Sequence, residues 1–180
     1  LSGAATISSS ATLADLITHA ALAVLVKARR GSTHTPAFLA GTLLPDLLGR
    51  VPGLTVLFLR GRGLPLPDAL AYLWEPFHLP LGMALVAYLL SRMAPPELRA
   101  GVGRNLLGGG ALHLAVDLLQ RHLGTGYMIF FPFSTVQVEL GWLGSEDTVF
   151  LAPPLALAAA LAGWRRWGPP KRGSPPPAPG

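Results

Sequence analysis

Residues 106–123 read LLGGGALHLAVDLLQRHL. Apart from His113 and Asp117 the run is apolar or small as far as Leu119, and those two polar residues stand four positions apart. That spacing stacks both side chains on one face of a helix. Residues 13–26, LADLITHAALAVLV, repeat the arrangement in reverse order, with Asp15 four positions before His19. Two apolar helices, each with one imidazole and one carboxylate on a single face, are the core of the reading that follows.

Three further apolar stretches accompany them. The second in chain order covers about Pro36 to Leu48, with Pro36 suited to a first helical turn. The third, about Leu79 to Met93, is stopped by Pro95 and Pro96, and the fifth covers about Val149 to Trp167. The first begins at Thr12, where Asp15 at the third following position favours a helix N-terminus, and ends in Lys27-Ala28-Arg29-Arg30-Gly31. The fourth, about Leu106 to Leu123, ends at Gly124. A perpendicular membrane span needs about 20 apolar residues. Stretches one, three and five read as near-complete spans. Two and four either extend into interfacial flanks or enter without fully crossing.

Composition agrees. Hydrophobic residues make up 51% of the 180 and charged residues 13%, against roughly 25% charged in soluble domains. The expected fold is all-α: a polytopic membrane helix bundle of about five helices, with interfacial segments at 54–62, 66–74 and 127–134. It comprises a polar segment at 1–12, the helical domain at 13–167, and a disordered tail at 168–180 rich in Pro, Gly and basic residues. Leu1 to Thr12 has no basic run and does not resemble a signal peptide. With no cysteine, disulfides, thiolate metal sites and Cys nucleophiles are excluded.

The net charge of +5 does not point to nucleic acid, because no basic stripe is interleaved with aromatics. The basic residues instead flank the apolar stretches, where they set topology. With the first helix running inward, Lys27, Arg29, Arg30, Arg92, Arg99, Arg104, Arg165, Arg166, Lys171 and Arg172 are cytoplasmic. Arg50, Arg60, Arg62 and Arg121 are left outside. The expected location is the cytoplasmic (inner) membrane, multi-pass, with the C-terminus cytoplasmic. Topology assigned from Lys and Arg alone then carries Asp15, His19, Asp46, Glu75, His78, His113 and Asp117 to one outer level.

An ionisable residue within a span costs at least about 2.5–3.5 kcal/mol and so needs a partner or a role. One reading is a buried hydrogen-bond network tying helices together. The other is a metal site, favoured because no Lys or Arg is expected near enough to neutralise the carboxylates. Imidazole with carboxylate suits zinc, and also manganese or iron. Three His and three Asp exceed one tetrahedral set, so either two metals bind or some carboxylates support the ligands or act as the base. His34 and His122 read as solvated or capping residues, and Glu146-Asp147 as the N-terminal charge of the fifth helix. Gly108–Gly110 lacks the Lys and Ser/Thr of a phosphate loop and reads as a close helix contact. Ser134 has no adjacent His–Asp relay that would suggest a serine hydrolase.

The order of motifs, Asp15-Leu-Ile-Thr-His19, Gly41-Thr-Leu-Leu-Pro-Asp46, His78 opening an apolar helix, His113-x-x-x-Asp117 and Phe131-Pro-Phe-Ser134, resembles the YdjM-like family of inner-membrane-associated metal-dependent hydrolases. That family is distantly similar to zinc-dependent phospholipase C. The resemblance covers roughly residues 13–135 and implies metal-ligand roles for His19, Asp46, His78, His113 and Asp117. The chain departs from the family pattern at Leu48, where a second acid is usual, and after His78, where Leu79-Pro80-Leu81 replaces an Arg and a second His.

The function expected is hydrolysis of an ester or phosphoester in a lipidic or amphiphilic substrate at the extracytoplasmic face, with membrane lipid as partner. A divalent metal, zinc first, would be the cofactor, and Asp15 or Glu75 the supporting carboxylate or base. The alternative is a non-catalytic accessory or assembly subunit using the same groups as a structural network. A transporter ranks third, since no repeat symmetry supports alternating access.

Overall fold

A computed structural model describes residues 2–31, 33–67, 69–121, 126–144 and 147–168, with backbone alone for residues 2–14. The architecture is all-α. Helix α1 (Ser2–Arg30) is followed by α2 (Thr35–Pro45), a widened π-helical turn (Asp46–Arg50) and α3 (Val51–Gly61). Then come a single turn, α4 (Ala69–Tyr72), a 3₁₀ turn (Glu75–His78), α5 (Pro80–Met93) and α6 (Arg99–Leu119). Two short strands, β1 (Gln120–Arg121) and β2 (Leu143–Gly144), pair in parallel before α7 (Thr148–Trp167).

Local chemistry accounts for the boundaries. α1 ends on Lys27, Arg29 and Arg30, which complement the negative end of the helix dipole, and Gly31 then takes φ +110°. α5 opens on Pro80 and stops before Pro95. α7 opens at Asp147, whose carboxylate accepts from the Gly144 N–H at 2.8 Å. Pro45 and Pro52 bracket the widened turn. Each withholds a backbone N–H from the helical ladder, so the α2–α3 segment is re-phased but not ended.

α2 packs along α6, α1 along α7, and α5 along α6. The α2–α6 contact is very close. A Cβ on Gly41 would meet the Leu106 carbonyl, and one on Gly109 the Phe38 carbonyl. Gly109 and its neighbours therefore serve helix packing, as expected of the glycine run.

The interior is unusual. The largest fully buried side chains are His19, His113, Gln120, Thr42, Asp46 and Asp117. The exposed set includes Phe58, Leu85, Tyr88, Leu89, Phe150, Leu157, Leu161 and Trp164. Polar groups inside and large apolar groups outside invert the order of a water-soluble domain. They match a chain whose surroundings are apolar.

Among the described residues, two helical stretches are long and apolar enough to cross a membrane: Thr35–Gly61 and Thr148–Trp167. A third is added if Ala69–His78 and Pro80–Met93, bent by 70°, count as one span.

The structure revises several boundaries. α1 begins at Ser2, not Thr12, because nothing in the Ala- and Ser-rich start breaks a helix, and the polar segment 1–12 is helical over its described part. Residues 54–62 are not a separate interfacial piece. They continue the second stretch through Gly61, a 27-residue run, about 40 Å at 1.5 Å per residue. α6 starts seven residues earlier than Leu106, at Arg99, and ends at Leu119. His122, Gly124, Glu146 and the tail from 169 onward lie outside the described residues.

Candidate metal centre

Four elements bring the polar groups together. α1 supplies Asp15 and His19 from one face, and α6 supplies His113 and Asp117 from one face. The widened turn supplies Asp46, and the 3₁₀ turn supplies His78 at its last position. Gly49 is what lets these two turns meet, since a Cβ there would lie 2.9 Å from His78 Cβ. Asp46, His19, His113 and Asp117 are fully buried and His78 nearly so.

The donor atoms converge. His78 Nε2 lies 2.7 Å from His113 Nε2 and 3.3 Å from both Asp46 Oδ1 and Asp117 Oδ2. His113 Nε2 lies 3.2 Å from Asp117 Oδ2 and 3.9 Å from Asp46 Oδ1. Metal–ligand bonds of about 2.0–2.1 Å at the tetrahedral angle place donors about 3.3 Å apart. The five separations straddle that value. A hydrogen-bonded network explains them less well: of two facing ring nitrogens at most one carries a proton, and carboxylates donate none. Asp46 Oδ1 and Oδ2, Asp117 Oδ1 and His19 Nε2 are buried with no hydrogen-bond partner among the described residues. Buried polar atoms are ordinarily paired, so this many orphaned lone pairs on one point fit a cation. The residues can hold a metal ion in three overlapping sets: His19, His113 and Asp117; Asp46, His78 and His113; Asp15, His19 and Asp46.

A supporting layer surrounds them. His19 Nδ1–H donates to the Asp15 carbonyl at 2.9 Å, leaving Nε2 as the lone-pair atom. The Asp15 carboxylate accepts from Arg50 Nη1 at 2.7 Å and from Gln120 Nε2 at 2.9 Å. Tyr127 donates to Asp117 Oδ2 at 2.8 Å, and its ring lies 5.4 Å from that of His78. Burial first, and then the Asp117 carboxylate, push the Tyr127 hydroxyl up from its ordinary pKa, so it stays a donor. Tyr127 is held over the centre by its bridge to Val138 and by Leu140 and Trp142, whose N–H groups cap the last carbonyls of α6.

One expectation needs correction. The carboxylates are not free of cations. Arg50 bonds Asp15 and lies 3.7 Å from Asp46, because the widened turn carries it round to the same side as Asp46. Asp46-x-x-x-Arg50 has the same four-residue spacing as the two His–Asp pairs, so a signal was present, masked by the assignment of Arg50 to an outer loop. Glu75 is not in the cluster. It is exposed, on the rim of a cavity of about 170 Å³ whose wall also includes Arg50, His78, Leu54, Leu57 and Tyr72. Gln120 and Tyr127 were missed. Gln120 is three residues after Asp117, whereas nothing in the local sequence distinguishes Tyr127 from its aromatic neighbours.

The departures at Leu48 and Leu79 are apolar in place as well as in type. Leu48 lines a small apolar pocket with Phe77 and Met83, and Leu79 is buried. Comparisons of the chain with protein families, with curated proteins and with solved structures gave no match.

Proposed function

We propose that the chain is a membrane-embedded, metal-dependent hydrolase that cleaves an ester or phosphoester of a lipidic or amphiphilic substrate at the extracytoplasmic face. The observation that carries this reading is the convergence of Asp46, His78, His113 and Asp117 donors behind a cavity whose wall includes His78 and Arg50. A divalent ion there, zinc by donor type with manganese or iron as substitutes, would supply an activated water and polarise the scissile group. Of the chain's own groups, Arg50 can hold an anionic oxygen in the cavity, and Leu54, Leu57 and Tyr72 can take an apolar tail. Asp15, bonded on both oxygens, orients His19 and is a poor base. Glu75 has the freer carboxylate and the better position for proton transfer at the cavity mouth.

The YdjM-like resemblance, the five-span placement and the inner-membrane location with a cytoplasmic C-terminus form part of the same proposal. The inside-out distribution of polar and apolar side chains and the two helical stretches long and apolar enough to cross a membrane support the membrane placement alone.

The Arg50–Asp15 ion pair favours a second reading, a non-catalytic accessory subunit in which the cluster only ties helices together. The test is hydrolysis of fluorogenic phosphate and acyl esters with alkyl tails by detergent-purified protein. The hydrolase reading expects activity that is lost on chelation, restored by a divalent metal and absent in Asp46→Asn. No stoichiometric metal and no hydrolysis of either ester would overturn it in favour of the accessory subunit.

A further inference from the structure

We propose that the centre holds two divalent ions, the second on His19, Asp117 and Asp46. This deepens the metal-dependent reading and rests on it. A first ion on Asp46 Oδ1, His78 Nε2, His113 Nε2 and Asp117 Oδ2 uses one oxygen of each carboxylate. Three donor atoms then remain inside the same walls: His19 Nε2, Asp117 Oδ1 and Asp46 Oδ2. All three are buried and none has a hydrogen-bond partner.

They are atoms of one kind. His19 carries its proton on Nδ1, given to the Asp15 carbonyl, so Nε2 presents a lone pair. That lone pair faces Asp117 Oδ1 at 3.0 Å without the geometry of a hydrogen bond. Two lone pairs repel at that distance, so a cation draws them together, and metal content decides between a metal ion and a proton on Nε2. Asp46 also brings an oxygen within 4.8 Å of a His19 ring nitrogen. Asp117 thus turns one oxygen toward His19 and the other toward His78 and His113. A carboxylate placed this way bridges neighbouring ions, which in two-metal hydrolytic sites stand about 3.5–4 Å apart.

Charge separates one ion from two. With the imidazoles neutral, as metal ligands are, three carboxylates and the Arg50 guanidinium sum to minus two before any ion is counted. One divalent ion brings it to zero, two to plus two. A centre at plus two attracts an anionic group and so selects a phosphoester over a neutral ester. Asp15 is not a ligand in this arrangement. With its oxygens held by Arg50 and Gln120, and one of them 3.5 Å from His19 Nδ1, it positions the imidazole.

The experiment loads detergent-purified full-length protein with manganese and reads both metal content and the low-temperature electron paramagnetic resonance spectrum. Two manganese per chain with an exchange-coupled spectrum is the expected result. His19→Ala, or His19→Gln if the alanine variant folds poorly, should keep one manganese and show an uncoupled six-line signal. One manganese with an uncoupled spectrum in the unmodified protein would overturn the second position and leave the one-metal hydrolase standing. No bound manganese or other divalent metal would overturn both.

Discussion

Helices α1 and α6 bury polar side chains at two levels, and the levels differ in kind. At one, Lys27 donates to the Thr33 carbonyl at 2.7 Å and to Asn105 Oδ1 at 3.1 Å, and lies 5.6 Å from the centre of the Phe38 ring. Eight residues away along both α1 and α6, about 12 Å by helical rise, His19 and His113 meet Asp46 and Asp117, and His19, Asp46 and Asp117 keep lone pairs that no described residue satisfies. The first cluster exhausts its polar partners internally and serves as a staple between helices. The second leaves them over, which is costly in an apolar interior and makes sense if a ligand completes it. Burial of polar groups does not by itself mark a site. Burial without satisfaction does.

The difference can be broken at four places. His113→Ala removes a donor shared by two of the three candidate sets and should cost at least one equivalent of bound metal, measured by elemental analysis, while the helical circular dichroism persists. Asp46→Asn should also release metal, yet leave the thermal midpoint of the metal-free protein unchanged or higher, because it removes a buried charge that lacks hydrogen bonds. Tyr127→Phe deletes one hydrogen bond to Asp117 and should weaken metal affinity about 10–100-fold in a competition titration, with little change in fold. Lys27→Met should do the reverse. Metal content stays constant, and the thermal midpoint in detergent falls in proportion to a loss of about 1–3 kcal/mol as the Asn105 and Thr33 acceptors lose their donor. If Lys27→Met changed metal content and His113→Ala did not, the two levels would have been assigned the wrong way round.

Much of the fold is legible from the sequence because its boundaries are set by local chemistry. The Lys27–Arg30 run, Pro80, Pro95-Pro96 and Asp147 mark helix ends wherever the chain is read. The α2–α3 run is not legible in this way. Gly49, Pro52 and Gly53 look like a loop, but the glycines are contact points, Gly49 against His78 and Gly53 against the Ala71 carbonyl. Only the packing of the 71–78 segment reveals that. At the centre, the pairs Asp15–His19 and His113–Asp117 announce themselves by spacing. That Asp46 and His78 join them follows from two turns meeting across 32 residues of sequence, and the part played by Tyr127 from a loop whose anchoring lies in α6 carbonyls. The pairing of Arg50 with the carboxylates is not legible because charge counting treats every cation near an apolar stretch as a topology signal alone. This one is turned inward onto Asp15.

The most direct test of the account is the divalent-metal content of detergent-purified protein, compared between the unmodified chain and His113→Ala at equal helicity. The account predicts at least one tightly held equivalent in the former and at least one equivalent fewer in the latter. Equal metal content in the two proteins, or none in either, would contradict it.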